Sequence, residues 1–154
     1  MENTNVFQWC KAAVAAVCGA FTAAFGALGW LVAAWVACMA LDWLSGSAAA
    51  ASRGEWSSAA ARAGIWHKGG MLAVVLVAAV TDGVLAIAVE SLPALGLNYA
   101  ALVLPVVLVW YIFTELGSIA ENAAHMGADV PDGLLKLLAA GKKAAERQTK
   151  DDEE

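Results

Sequence analysis

The chain has 154 residues, of which 61% are hydrophobic and only 15% are charged, with a formal net charge of −5. A soluble domain usually carries about a quarter charged residues, and here the apolar residues fall in long blocks of the kind that forms transmembrane helices. The acidic balance, with no Lys/Arg patch that has interleaved aromatic residues, argues against a nucleic-acid partner. We therefore expect an all-α integral membrane protein whose main partner is the lipid bilayer.

The first apolar block carries no charge from residue 12 to residue 41 and continues as an Ala-rich stretch to residue 52. With residues 6–11 it contains roughly 47 residues, which is enough for two helices and too long for a cleavable signal segment. The glycines of FGALGW (25–30) predict a break, with helices at about 6–25 and 29–51. The even hydrophobicity leaves open whether the first helix crosses the membrane or lies partly in the interface.

A polar connector follows at 52–68, and its basic residues include Lys68. Third and fourth transmembrane helices are predicted at about 69–91 and 99–122. Pro131 is typical of a helix start, and it introduces a short amphipathic helix and a charged tail. We therefore predict a bundle of three to four transmembrane helices within residues 1–128, followed by a cytoplasmic amphipathic helix and tail at 129–154.

The basic residues predict the orientation of the chain. The connector at 52–68 and the C-terminal segment are both rich in Lys and Arg, whereas the turn at 91–98 contains neither. Basic loops stay on the cytoplasmic side of a membrane, and two spans separate the two basic regions. We expect a multi-pass protein of the bacterial cytoplasmic membrane with a cytoplasmic C-terminus.

Carboxylates occur inside the predicted spans, and the spans that contain them have no Lys or Arg to pair with them. A charge at the middle of a bilayer costs about 3 kcal/mol on insertion scales. Each carboxylate must therefore be protonated, hydrogen-bonded within a bundle, or exposed to water. Residue counting places Asp42 and Glu115 in one inner layer, with Asp82 deeper, near the middle of its helix.

The fourth helix carries a polar stripe. Tyr111, Glu115, Ser118, Asn122 and His125 recur at three- and four-residue spacing, which puts them on one face. Small residues elsewhere favour close helix packing. Two interpretations stay open, namely polar links within a bundle or homo-oligomer, and the lining of a pore. The candidate pore-lining or oligomer-interface residues are Asp42, Ser45, Asp82, Glu115, Ser118, Glu121 and Asn122.

Enzyme motifs are missing from the sequence. There is no nucleophile–base pair, HExxH motif, phosphate-binding loop or cluster of metal ligands, and the three cysteines lack CxxC spacing. We expect no enzymatic activity, no metal and no cofactor.

The order of these segments resembles the phage holin family that also includes toxin-secretion holins. The resemblance covers about residues 25–140 and rests on ALDWLSGSAAA, on the mid-span Asp82 in VTDGVL, on TELGSIAEN with a following Gly127, and on VPDGLLKLL. The family pattern has Asp, two residues, Ser/Thr and Gly at the end of one span, here Asp42, Ser45 and Gly46. One departure is Thr114, where the family often has Asn.

The resemblance implies a function in host lysis. Holin subunits accumulate in the cytoplasmic membrane, form homo-oligomeric lesions and time the release of an endolysin or a toxin, without necessarily contacting the endolysin. The alternative is a small non-lytic membrane subunit, such as a transporter accessory or an assembly factor, that binds a partner through the polar stripe. A proton-coupled carrier is a third reading, which four short helices accommodate poorly.

Overall fold

A computed structural model describes residues 2–92 and 98–148 of the chain, and no strand occurs among them. Part of the predicted turn at 91–98 and the charged tail after residue 148 lie outside the described residues. Three helices are long and apolar enough to cross a membrane, and a further helix follows them, so the predicted all-α membrane protein is confirmed. The four helices are α1 (Glu2–Ser52), α2 (Ser58–Ser91), α3 (Val103–His125) and α4 (Asp132–Gln148).

Helix α1 is broken at Gly26, inside the predicted FGALGW break. Gly26 has a φ of 61° and a ψ of −159°, a region that is open essentially only to glycine. Next to the break, the Trp30 indole Nε1 donates to Thr22 Oγ1 at 2.8 Å, and the Trp30 ring meets the Phe21 ring edge-on. At 1.5 Å per residue, the stretches before and after the break are about 36 Å and 39 Å long. Each is therefore long enough to cross a bilayer core.

Helix α2 begins at Ser58, much earlier than the predicted residue 69. Ser57 is its N-cap, and the Ser57 hydroxyl accepts a hydrogen bond from the Ala60 backbone N–H at 3.1 Å. Such a cap satisfies one of the free amides of the first turn. As a result, most of the predicted polar connector, including Lys68, belongs to a helix that is able to span the membrane.

The outer surface of α2 is apolar. Val77, Val80 and Ile87 are each more than 60% exposed, although a soluble protein would bury many such side chains. A helix with an exposed apolar surface of this kind suits lipid contact. The exposed side chains therefore agree with a bundle whose outside faces the bilayer.

Helix α3 begins at Val103 and ends at His125, slightly later at both ends than predicted. Helix α4 begins one residue after Pro131, whose carbonyl accepts from the Leu134 N–H at 2.9 Å. The α4 side chains Leu138 and Ala145 are buried, and Gly141 lies against the Phe113 ring of α3. Helix α4 therefore packs along α3.

The chain divides into two compact units, Met1–Ala33 and Ala34–Glu154. The second unit contains the buried core. Trp35 and Leu108 are its most completely buried large side chains, and the Trp35 ring stacks on the Tyr111 ring with centroids 6.1 Å apart. Aromatic stacking of this kind adds to the area that the rings bury, so it fixes the second half of α1 against α3.

The φ value at Gly26 generates a prediction. Replacing Gly26 with Ala forces a Cβ into a glycine-only region, so we expect the free energy of unfolding to fall by about 1–3 kcal/mol. The measurement is an SDS titration in mixed detergent micelles, followed by circular dichroism. Gly19→Ala is the control, because Gly19 is helical with open space around it. An equal loss in both variants would contradict a special role for the break.

Candidate functional site

A buried ion cluster joins three helices in the second unit. The Lys68 ammonium on α2 donates to Asp42 Oδ2 on α1 at 2.9 Å and to Glu115 Oε2 on α3 at 2.5 Å. The three side chains are only 16%, 19% and 5% exposed. The expectation that the intramembrane carboxylates lack a cation is therefore wrong, because Lys68 lies within α2 and not in a connector. The structure does bring Asp42 and Glu115 into one layer, as predicted.

The three charges meet because of their positions along the helices. Asp42 lies ten residues before the end of α1, Lys68 ten residues after the start of α2, and Glu115 ten residues before the end of α3. Ten helical residues span about 15 Å. Since these three helix ends face the same side of an up-and-down bundle, equal spacing places all three charges at one depth.

Polar groups from α1 and α3 complete the cluster. The Asn122 amide donates to Asp42 Oδ1 at 3.2 Å and to Ser45 Oγ at 3.1 Å, while Ser45 Oγ donates to the Asp42 carbonyl. Ser118 of α3 lines the same space as the Asp42 side chain. A Cβ added at Gly46 would lie 3.4 Å from the Asn122 amide nitrogen, which is an ordinary contact distance, so Gly46 lies directly beside the Asn122 side chain. Both oxygens of the Asp42 carboxylate are thus hydrogen-bonded.

A cleft of about 250 Å³ leads from the residues just before α2 to the ion cluster. Its walls combine small residues of α1 and α2, such as Ala50 and Gly64, with the larger side chains of Trp43, Trp56 and His67. Its polar end contains Asp42, Lys68 and Asn122. Small side chains leave this space open, and the polar groups suit water. The cleft therefore offers water a route from the connector side to the cluster.

Asp82 forms a second, separate polar site near the other end of α2. Its Oδ1 accepts from the Val103 N–H at 3.0 Å and its Oδ2 from the Leu104 N–H at 2.8 Å, and the Tyr99 hydroxyl also donates to it. Free N–H groups and the helix dipole make a helix N-terminus favourable for a carboxylate. Asp82 thus caps α3, whose own N-cap residue Leu102 provides no side-chain hydrogen bond.

Tyr99 lies outside the spanning helices. Its hydrogen bond to the Asp82 carboxylate raises the pKa of the Tyr99 phenol. The phenol therefore remains a donor to Asp82 at neutral pH. Asp82 lies nine residues from the end of α2 and not near its middle as predicted, because α2 begins at Ser58 and not at residue 69.

Comparison with known proteins identifies the family of the chain. The model of the bacteriophage holin family matches residues 19–143, which is more than half of the 154 residues. The chain belongs to the bacteriophage holin family. No curated protein and no solved structure matches it. Together with the three apolar helices, membership makes the chain a holin-type, multi-pass membrane protein, and the family is typically oligomeric.

The polar stripe of α3 divides into two parts. Tyr111 and Glu115 are buried and Ser118 and Asn122 are half-buried, so this part faces the bundle, whereas His125 is exposed. Glu121, which lies beside the stripe, is also exposed. The ion cluster therefore contains Asp42, Ser45, Glu115, Ser118 and Asn122 of the predicted site residues, whereas Asp82 and Glu121 lie elsewhere. Among the described residues, no group of His, Cys, Asp and Glu side chains is arranged to hold a metal ion.

Lys68 is the site residue that sequence reasoning missed. The signal that identifies it is the cap at Ser57 followed by the helix-favouring run SAAARAG. That signal moves the start of α2 back to residue 58, and the basic side chain then falls about three turns into the helix. The charged and hydroxyl residues of 52–68, such as Arg53, Glu55 and Arg62, resemble a connector and obscured this start.

The cluster predicts a large effect of removing its cation. Lys68→Met leaves two carboxylates buried together, and removing one partner of a buried ion pair costs about 3–5 kcal/mol. We expect a loss of that size in the free energy of unfolding, measured by SDS titration in mixed micelles. Lys136→Met, at an exposed lysine of α4, is expected to stay within about 0.5 kcal/mol of the wild type. Equal stability of the two variants would contradict the cluster.

The cap on α3 gives a separate prediction. Asp82→Ala removes the acceptors for two backbone amides, so we expect a loss of about 1–2 kcal/mol. Tyr99→Phe leaves both backbone bonds in place and is expected to cost less, about 1 kcal/mol. The same titration measures both variants. If Tyr99→Phe were the more harmful of the two, Asp82 would not act as the cap of α3.

Proposed function

We propose that copies of this chain assemble in the bacterial cytoplasmic membrane into lesions that let an endolysin or a toxin leave the cytoplasm, and that assembly sets the time of lysis. Before the lesion assembles, the basic connector side of the bundle and the C-terminus face the cytoplasm, in keeping with the positive-inside rule. The endolysin needs no direct contact with the chain. Family membership supports the proposal in its general form.

The observation that carries the proposal is the ion cluster of Asp42, Lys68 and Glu115. At a depth of about 15 Å from the helix ends, an unpaired charge is costly in lipid. The closed bundle satisfies the three charges through one another and through Asn122 and Ser45. If the helices separate, the same groups are stable only in water. The cluster therefore suits a protein that alternates between a closed bundle and a water-filled assembly.

The net charge of the ion cluster favours its contact with water. One ammonium faces two carboxylates, so the cluster has an excess negative charge when all three groups are ionised. Buried ion pairs contribute little net stability compared with apolar packing. The cleft beside Asp42 and Lys68 provides a place where water can enter first. These features support opening from the cytoplasmic side.

Inducible expression in a bacterium tests the function. Membrane potential and optical density are followed over time, with and without a co-expressed endolysin that lacks a signal sequence. We expect a delayed and sudden loss of potential, with lysis only when the endolysin is present. Steady growth with an intact potential, after membrane insertion has been verified, would reject lesion formation and favour the non-lytic accessory subunit.

The cluster also predicts the behaviour of variants in this assay. Asp42→Asn and Glu115→Gln each remove one negative charge from a cluster with an excess of it, so both proteins should insert but change the time of depolarisation. Glu90→Gln is the matched control, because Glu90 is an exposed carboxylate outside the cluster. Timing is read from the onset of potential loss at equal protein levels. Normal timing in both cluster variants would contradict the proposed role of the cluster.

A further inference from the structure

Helix α4 returns along α3 instead of leaving it. The Trp110 indole Nε1 donates to Glu146 Oε1 at 3.0 Å, and the Lys142 ammonium lies 4.9 Å from the centroid of the Trp110 ring. Nearer the start of α4, Gly141 lies against the Phe113 ring. Between these contacts and the turn that joins the two helices, Leu116 and Ile119 of α3 line one cleft with Leu134 and Leu138 of α4. Helices α3 and α4 therefore form an antiparallel hairpin.

The hairpin reaches far into the depth of the membrane. Trp110 lies fifteen residues before the end of α3 at His125, which corresponds to about 22 Å. The hydrocarbon core of a bilayer is about 30 Å thick. When α3 spans the membrane, the contact between Trp110 and Glu146 places the last turn of α4 beside that core.

The two faces of α4 have opposite chemistry. Leu138 and Ala145 are buried against the rest of the unit, and they lie seven residues apart on one face. Lys136, Lys143 and Arg147 are exposed, and their spacing of seven and four residues puts them on the face opposite to Leu138. The side of α4 that points away from α3 is therefore basic.

A basic face at this depth is incompatible with lipid. Each Lys or Arg near the centre of a bilayer costs about 2.5–3.5 kcal/mol on insertion scales, whereas water accepts the charges at no such cost. We propose that the α3–α4 hairpin enters the membrane as a unit in the assembled lesion, and that Lys136, Lys143 and Arg147 of α4 face its aqueous lumen. This inference rests on the proposed function, because it requires a water-filled assembly.

The other location for α4 is the cytoplasmic surface of the membrane. An amphipathic helix with basic residues binds such a surface well. In that location, however, Glu146 and Lys142 lose their contacts with Trp110, and the Phe113 ring loses Gly141. The observed contacts favour the hairpin, and the last turn of α4 lies about 22 Å deeper in the hairpin than at the surface. They are therefore distinguishable by cross-linking.

The test places cysteine pairs in the full chain after Cys10, Cys18 and Cys38 have been replaced with alanine. The pair Phe113→Cys with Gly141→Cys joins facing positions, and the first substitution also removes the ring that a Cβ at residue 141 would meet. The matched control pairs Phe113→Cys with the exposed Ala144→Cys. Cells without endolysin are oxidised before and after depolarisation, and loss of maleimide–polyethylene glycol labelling reports the disulfide.

We expect the 113–141 pair to lose most of its labelling after depolarisation, while the 113–144 pair keeps it. In reconstituted vesicles, a nitroxide on Lys143→Cys should collide with a water-soluble nickel chelate more than with oxygen. Full labelling of the 113–141 pair, or a nitroxide that meets mainly oxygen, would overturn the inference. Failure of the proposed function is recognised separately, because the wild-type chain would then leave the membrane potential intact.

Discussion

One ammonium group determines how three helices of this protein are arranged. Lys68 contacts carboxylates from two other helices, and all three groups lie ten residues from the connector-side ends of their helices. Buried ion pairs contribute little net stability, but they are costly to break singly. The cluster therefore acts less as a source of stability than as a requirement that α1, α2 and α3 stay at one depth in the membrane.

Much of the fold was predictable from the sequence because lipid imposes simple rules. Uncharged blocks of sufficient length predict spans, and glycine near a block centre predicted the break that the structure has at Gly26. The start of α2 was mispredicted because polar residues near a helix end resemble a connector. That single boundary concealed Lys68, so the sequence left Asp42 and Glu115 without their partner.

The parts of the site that the sequence did not predict depend on contacts between distant residues. Counting residues along single helices correctly placed Asp42 and Glu115 in one layer. No pattern within α2 indicates that Asp82 binds the amides of Val103 and Leu104, because those donors come from the start of another helix. In the same way, the amphipathic pattern predicted α4 but not its packing along α3.

Helices α2 and α3 are held at two levels along their length. Lys68 contacts Glu115 at one level, and Asp82 contacts the first residues of α3 about 21 Å further along α2. If α2 shifted by one residue relative to α3, its side chains would move by about 1.5 Å along the helix axis and turn by about 100° around it. Such a shift would break the Lys68–Glu115 contact and the Asp82 contacts together. Sliding of α2 past α3 is therefore blocked, and a rearrangement of the bundle that keeps both contacts has to move these two helices as one rigid body.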